Sequence, residues 1–292
     1  MARRLWITWP ATAGAVAALP VASQNTHPTP AAHFQDYVIV GEVDGCLIEW
    51  KGEQLNQDDH DTFLQLIKMA RHKAFGDDVV QQVNAILRGL NRHTQKEQRR
   101  QFFEQADRLM SGTIRITPRG KPSYAGHLLA DIVTPHDQRT EPQYKRHFAY
   151  QLNPKLAGLY EGAAYTLINW QDRLKLKGRG SEFAKWLQLL IESHADFKPR
   201  KVRTLWEDSG AAVKDFKEFR RILRQALDLL KDAGIITGWS IDPRPEDEPY
   251  GDLVTTERTP SPSQQKHLAK QARKPRAKRQ PSGLKKAGDY VG

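Results

Sequence analysis

The sequence predicts an α+β protein. Apolar residues recur with helical spacing in two separate stretches, and each stretch gives the same order of two helices, a longer third helix and strands. The chain has 292 residues, which allows one large domain or two small ones with tails. Together these observations predict two tandem winged-helix domains, at residues 34–154 and 155–242. We expect the N-terminal and C-terminal tails that flank them to be disordered.

The first domain begins with two predicted strands, VIVGEV and CLIEW. Asn56 can cap a helix from Asp58 to about Arg71, whose early aspartates suit the positive end of a helix. A second helix follows, and Thr94-Gln95-Lys96-Glu97 has the pattern of a capping box that opens a third helix. The segments TIRIT, YAGHLLADIV and HFAYQL then predict a β-ribbon, which would be the wing of this domain.

The second domain contains the strongest helical signal of the chain. Ser181 can cap its first helix, and VRTLWEDS predicts a short second one. In VKDFKEFRRILRQALDLLKDAG, the apolar residues between positions 216 and 230 form one stripe, and Gly234 suits the C-terminal cap. IITGWSI then predicts a short strand.

The net charge of +11 favours a polyanionic partner such as nucleic acid, and the mean hydropathy of −0.66 excludes an integral membrane protein. Residues 259–292 hold most of the excess, with nine basic residues and one acidic residue. Residues 34–154 are balanced, whereas residues 155–242 carry 16 basic and 12 acidic residues. Since a polybasic tail adds affinity without sequence readout, we expect specific binding from the second domain.

The predicted DNA contacts of the second domain surround its third helix, because this helix enters the major groove in helix-turn-helix proteins. Four basic side chains lie opposite the apolar stripe and a fifth flanks them: Lys214, Lys217, Arg221 and Arg224, with Arg220 beside them. The start of the preceding helix, where phosphates are commonly held, carries Lys198, Arg200, Lys201 and Arg203. The alternative is a solvated helix face with ordinary charge pairs.

The basic residues of the first domain allow two interpretations. The start of its third helix is surrounded by Arg92, Lys96, Arg99 and Arg100, and the predicted wing carries Arg119 and Lys121. They could contact DNA, or the balanced charge could mark a dimerisation module. A short glycine-rich loop, Lys177-Gly178-Arg179-Gly180, adds two more candidates for phosphate contact, Lys177 and Arg179.

No pattern in the chain predicts an enzyme, a metal site or a cofactor. The motifs GxxxxGK[ST], GxGxxG, HExxH, GxSxG and His-x-His are absent from the sequence. The single cysteine, Cys46, excludes an intramolecular disulfide and a CxxC zinc site, and we interpret it as a core thiol. Asp58-Asp59-His60-Asp61 resembles a metal cluster, but a helix points these side chains in different directions, so we interpret the acids as helix-start residues.

Both tails leave alternatives open. Residues 1–33 place Arg3 and Arg4 before an uncharged stretch, which is the outline of a secretory signal, and the alternative is an unstructured extension. Residues 243–292 are expected to form a disordered, basic tail that holds nucleic acid non-specifically or only aids solubility. Because the rest of the chain is typical of intracellular proteins, we expect a cytoplasmic protein.

Four stretches of the sequence resemble plasmid replication initiators of the TrfA type. They are GEQLNQDDHDTFLQLIKMA, QFFEQADRLMSGTIRI, QLNPKLAGLY with a following YTLINW, and FRRILRQALDLLKDAGIITGW. The resemblance spans about residues 34–242 and depends on the order of these stretches.

The resemblance implies tandem winged-helix domains that bind direct repeats in double-stranded DNA, called iterons, and promote opening of the origin. It also implies recruitment of a host DnaA-type initiator and the replicative helicase, control of plasmid copy number, and a homodimer in equilibrium with monomers. Two other functions stay open from the residues alone. One is a winged-helix transcriptional regulator or repressor, and the other is an enzyme such as a nickase acting through Tyr160 or Tyr165.

Overall fold

The structure is a computed structural model that describes residues 6–10, 32–43, 46–134, 147–156, 165–211, 213, 215–243 and 251–273. Helices and strands both occur throughout these ranges, which confirms the α+β class. None of the helices in the described ranges combines the length and the apolar character that a membrane span requires.

The first unit contains most of the strands. In chain order its elements are β1 (Trp6–Pro10), β2 (His33–Val43), β3 (Cys46–Glu53), α1 (Gln57–Met69), β4 (Val79–Gln82), α2 (Val83–Gly89), α3 (Lys96–Ser111), β5 (Thr113–Pro118), β6 (Tyr124–Gly126), β7 (Leu129–Val133), β8 (His147–Leu152), β9 (Tyr165–Asn169) and α4 (Trp170–Arg173). All strand pairs in this unit are antiparallel. A 3-10 turn at Pro154–Leu156 follows β8.

The segments predicted as one β-ribbon belong to two sheets. Strand β5 pairs with β3, with Ile114 opposite Trp50, and so joins a four-stranded sheet of order β2-β3-β5-β6. Strands β7 and β8 instead join a three-stranded sheet of order β4-β8-β7. Arg119 and Lys121 therefore lie on the turn between β5 and β6, and the prediction that all these segments form one ribbon is wrong. Local alternation of apolar residues identifies strands but not their partners.

The second unit repeats the order of the first. Its elements are α5 (Ser181–Ser193), β10 (Arg200–Lys201), α6 (Val202–Ser209), α7 (Phe216–Asp232), β11 (Gly238–Asp242), β12 (Leu253–Glu257) and α8 (Pro262–Arg273). Its three-stranded sheet has the order β10-β12-β11, just as the first unit has β4-β8-β7. Both units therefore contain helix, strand, helix, helix, strand and strand, with the last strand in the middle of the sheet.

The tails contain more structure than the sequence predicts. Strand β12 is the central strand of its sheet, and Val254 on it is fully buried, so a disordered tail from residue 243 is wrong for this segment. Helix α8 also lies within that predicted tail, and residues 274–292 lie outside the described residues. At the other end, strand β1 lies inside the predicted extension at residues 1–33 and pairs with β9.

Three helix starts test the predicted caps. The Asn56 side chain accepts from the amides of Asp58 and Asp59, and Asp59 accepts from the Asn56 amide in return, which confirms that cap. The predicted capping box before α3 is wrong, because Gln95 precedes the helix without a side-chain cap. Helix α5 starts behind Gly180, whose φ of 87° requires a left-handed backbone, so Ser181 is the first helical residue.

Two apolar cores meet at helix α5. The first core includes Ile168 and Trp170, which lie beyond the predicted boundary at residue 154. Leu189 of α5 also packs into this first core, whereas Phe183 and Trp186 stack in the second one. The two units are therefore joined by a shared helix and not by the short loop alone.

A buried polar cluster links the two units at the same place. The Arg173 guanidinium is fully buried and donates from Nε to Asp61 at 2.5 Å, from one terminal nitrogen to the Lys185 carbonyl at 2.9 Å and from the other to Gln57 at 3.0 Å. Lys185 Nζ lies 2.7 Å from Asp61. We call this cluster, with His60 beside Arg173, the polar seam.

The seam fixes the ionisation of its members. Burial alone would raise the pKa of Asp61, but the neighbouring cations Arg173 and Lys185 lower this pKa to about 2. Burial, together with Arg173, lowers the pKa of His60 well below its usual value, so the imidazole is neutral. The DDHD sequence is thus a set of separate contacts, since Asp59 pairs with Arg108 on α3 while Asp61 faces α4 and α5. Among the described residues, no group of acidic, histidine or cysteine side chains could hold a metal ion.

Substitution of Arg173 tests the seam. Arg173→Ala leaves the Asp61 carboxylate buried with one cation fewer, so we expect the free energy of unfolding to fall by about 3–5 kcal/mol. Chemical denaturation followed by tryptophan fluorescence measures this change. The control is Arg100→Ala, which breaks exposed pairs with Glu97 and Glu104 and should cost at most about 1 kcal/mol. Equal losses for the two variants would contradict the role of the seam.

Glu182 at the start of α5 adds a pH-dependent contact. Its carboxylate accepts from the Gln57 amide at 2.9 Å, and burial raises its pKa to about 7. Burial has the same effect on Glu192 at the other end of α5, whose pKa is also about 7. A carboxyl with a raised pKa binds protons more tightly in the folded state, so its contribution to stability falls as the pH rises.

Denaturation across a pH series tests these glutamates. The unfolding free energy should decrease as the pH rises from about 4.5 to about 7, the window between the ordinary pKa of a glutamate and the raised one. Glu182→Gln keeps an acceptor for the Gln57 amide but removes one titrating group, so its decrease should be shallower. The exposed variant Glu97→Gln should follow the wild-type curve in this window. Identical curves for wild type and Glu182→Gln would contradict the assignment.

Candidate nucleic-acid interface

Helix α7 presents a basic face to solvent. Its apolar stripe is buried in the second core, and Asp215 caps its first turn by accepting from the Lys217 amide at 3.0 Å. Lys217 and Arg224 are exposed, whereas Arg221 is hydrogen-bonded to Glu218 one turn earlier. This bond holds the pKa of Glu218 below its usual value. Lys214 lies outside the described residues.

Arg220 has a structural partner that the helical spacing does not reveal. Its guanidinium lies 2.7 Å from the carboxylate of Asp252, at the start of β12, and its side chain is two-thirds buried. The Asp252 carbonyl also accepts from the Val202 amide at 2.9 Å. Arg220 therefore orients α7 against the sheet, and a DNA contact by Arg220 stays a prediction.

The four basic residues around the start of α6 have different surroundings. Lys198 pairs with Asp196, and Arg203 lies 2.8 Å from Glu207, so both are exposed side chains with a carboxylate partner. Arg200 lies against the Phe197 ring and the imidazole of His194, so it belongs to the packing of this segment. Lys201 is the N-cap residue of α6 and is exposed.

The candidate DNA contacts of the first unit also differ in their exposure and partners. Arg92 is largely buried and donates to Gln105 at 2.8 Å, so it holds α3 to the preceding turn, and its contact with DNA stays a prediction. Arg100 lies between Glu97 and Glu104. Lys96 is exposed, and the exposed Arg99 donates to Asn84 at 3.2 Å. Arg119 and Lys121 are exposed on the β5–β6 turn.

The loop between the units, residues 177–180, contacts both of them. We call it the junction loop. Lys177 Nζ lies 3.3 Å from the Asn91 carbonyl, in the turn between α2 and α3. On the other side, a Cβ on Gly180 would lie 3.3 Å from Cβ of Gln225 on α7. Lys177 and Arg179 are exposed, so the loop places two cations between the two helices that the sequence predicts to read DNA.

Sequence reasoning identified the basic residues but missed how they are held. The contacts Arg220–Asp252 and Lys177–Asn91 join residues 32 and 86 positions apart, and helical phase carries no information at such separations. A cleft of about 330 Å³ also opens between the units, with Arg92 and His93 on one wall and Lys177 and Lys185 on the other. The exposed cations remain as the candidate interface: Lys96, Arg99, Arg100, Arg119, Lys121, Lys177, Arg179, Lys198, Lys201, Arg203, Lys217 and Arg224.

Comparisons with known proteins identify a fold. A crystal structure of domains 2 and 3 of RctB matches 84% of this chain and 96% of its own length, with a TM-score of 0.56 and 13% sequence identity. A second crystal structure of RctB domains 2–3 covers 74% of this chain and 83% of its own length, at 12% identity and a TM-score of 0.49. No protein-family model and no curated protein sequence matches the chain. At such low identity the likeness establishes a shared fold.

A double-mutant cycle tests the structural role of Arg220. Arg220→Ala and Asp252→Ala should each lower the unfolding free energy, and the double variant should lose less than the sum, with a coupling of about 1 kcal/mol for this partly exposed pair. Thermal or urea denaturation measures all four proteins. The matched control is Arg224→Ala, which removes an exposed arginine from the same helix and should change stability by less than about 0.5 kcal/mol. If the losses of unfolding free energy in the two single variants simply add in the double variant, Arg220 and Asp252 do not interact.

Proposed function

We propose that the protein is a plasmid replication initiator that binds direct repeats at an origin through two winged-helix modules. The observation that carries this proposal is the basic face of α7, with Lys217 and Arg224 exposed next to the junction loop. The order of helices and strands supports the winged-helix interpretation of both units, since the sheet orders β4-β8-β7 and β10-β12-β11 are equivalent. In such modules the third helix enters the major groove.

The likeness to RctB supports the replication role over other uses of DNA binding. RctB is a replication initiator, and the match covers nearly all of its domains 2 and 3. The resemblance of four sequence stretches to TrfA-type initiators supports the plasmid assignment and the binding of iterons. In this proposal α7 reads bases, α3 and the junction loop add contacts, and the basic residues after position 258 increase affinity through counterion release.

The remaining parts of the proposal follow from the same role. The protein acts in the cytoplasm without catalysis, metal or cofactor, opens the origin, and recruits a DnaA-type initiator and the replicative helicase. Copy number control would come from a balance between monomer and homodimer. A transcriptional regulator would bind DNA through the same surfaces, so only a replication assay separates the two functions.

Binding measurements on selected DNA test the proposal. Selection from a random duplex library at about 150 mM salt should give one consensus site, and direct repeats of that site should lie beside the gene. Lys217→Ala and Arg224→Ala should each weaken binding to the consensus by about 1–3 kcal/mol, measured by fluorescence anisotropy. Lys231→Ala, which removes an exposed lysine at the far end of α7, should leave affinity nearly unchanged.

Two further outcomes distinguish the roles of the parts. Removal of residues 274–292 should weaken binding to consensus and scrambled DNA alike and reduce the salt dependence of both. Equal binding of the full chain to consensus and scrambled DNA would overturn sequence-specific recognition. A minimal plasmid with only this gene and its repeats should replicate, and its failure to do so would favour the transcriptional regulator.

A further inference from the structure

The junction loop contacts the turn before α3 on one side and α7 on the other. Lys177 Nζ lies within hydrogen-bond distance of the Asn91 carbonyl, in the turn between α2 and α3, and a Cβ on Gly180 would lie 3.3 Å from Gln225 on α7. Gly180 also ends the loop as the N-cap of α5, the helix that joins the two cores. The position of the loop is therefore fixed relative to both units.

The loop is also rich in glycine and exposed, and it borders the cleft between the two units. Gly178 and Gly180 have φ values of 84° and 87°, so both adopt the left-handed backbone that glycine tolerates best. A Cβ built on Gly178 would meet no atom within 4 Å, which shows that this residue faces open space. The exposed part of the loop therefore consists of bare backbone at Gly178 with one cationic side chain on each side.

Neither Lys177 nor Arg179 forms an ion pair with a carboxylate in the described ranges, although Asp58 and Glu182 line the same cleft as Lys177. In the described part of the chain, Arg179 has no carboxylate within ion-pair distance, and the nearby Glu218 is already hydrogen-bonded to Arg221. Lys177 donates to a neutral carbonyl and stays exposed. Two positive side chains flanking a glycine suit the minor groove of B-DNA, which is about 6 Å wide and has a strong negative potential where it is narrow.

We infer that the junction loop inserts Arg179 and Lys177 into the minor groove between the major-groove segments that α3 and α7 occupy. This inference rests on the proposed function and adds a second kind of readout to it. Adjacent major-groove segments on one face of the duplex are separated by a minor groove, so a fixed loop between the two helices meets that groove. The loop then selects A·T pairs at the centre of the site, because guanine places an amino group in the minor groove and A·T-rich grooves are narrow.

Inosine substitution separates this readout from contacts in the major groove. An inosine·cytosine pair lacks the guanine amino group, so it resembles A·T in the minor groove and G·C in the major groove. We would take the selected consensus duplex and place A·T, G·C or inosine·cytosine pairs in its central segment. Fluorescence anisotropy should show that the full chain binds the A·T and inosine duplexes about threefold to tenfold more tightly than the G·C duplex.

Variants assign the preference to the loop. Arg179→Ala and Lys177→Ala should bind more weakly and lose most of the difference between the three duplexes. Lys231→Ala removes an exposed lysine at the far end of α7 and should keep the full difference. Lys217→Ala should weaken binding to all three duplexes by the same factor, because the proposed contact of Lys217 lies in the major groove.

The possible failures have different meanings. If inosine·cytosine behaves like G·C, or if Arg179→Ala keeps the A·T preference, the loop does not read the minor groove. If Arg179→Ala weakens binding to all three duplexes by the same factor, the loop contacts phosphate only. The inference is then overturned, while the proposed function stands. If the selection gives no consensus, the proposed function fails and the inference fails with it.

Discussion

The guanidinium of Arg173 lies out of contact with water and donates to residues from both units. Removing a charge from water is costly, so this position is stable only while Asp61 and the surrounding acceptors remain in place. The partners come from α1 and α5. Separating the units would therefore expose the Arg173 charge to water or leave it buried without its partners. Together with Leu189, which packs across the same boundary, the seam makes the two units behave as one body.

This coupling fixes the positions of the exposed basic residues of the junction loop relative to both units. The junction loop is separated by three residues from α4, the helix that carries Arg173, and ends at α5, which carries Lys185. Its contacts to the Asn91 turn and to α7 are therefore anchored by the seam. The bulk charge of +11 says only that the protein favours polyanions, whereas the fixed placement of a few exposed cations allows the reading of a defined DNA shape.

Sequence patterns predicted the parts of the fold that depend on local spacing. The stripe in α7, the cap at Asn56 and the short helix α6 follow from periodicity and capping chemistry, and these elements lie where the sequence places them. Strand partners, the burial of Arg92 and the pairing of Arg220 with Asp252 depend on residues far apart in the chain, so no local pattern could predict them. The aspartates of DDHD were correctly predicted to begin a helix, but their separate tertiary partners were not.

The most direct test of a coupled two-unit reader is the spacing of its DNA site. Insertion of about five base pairs, half a helical turn, between the segments contacted by the two units rotates them to opposite faces of the duplex. If the seam fixes the units, the insertion should lower the affinity of the full chain to that of a duplex carrying one segment alone. An unchanged affinity would show that the units bind independently and would contradict the account.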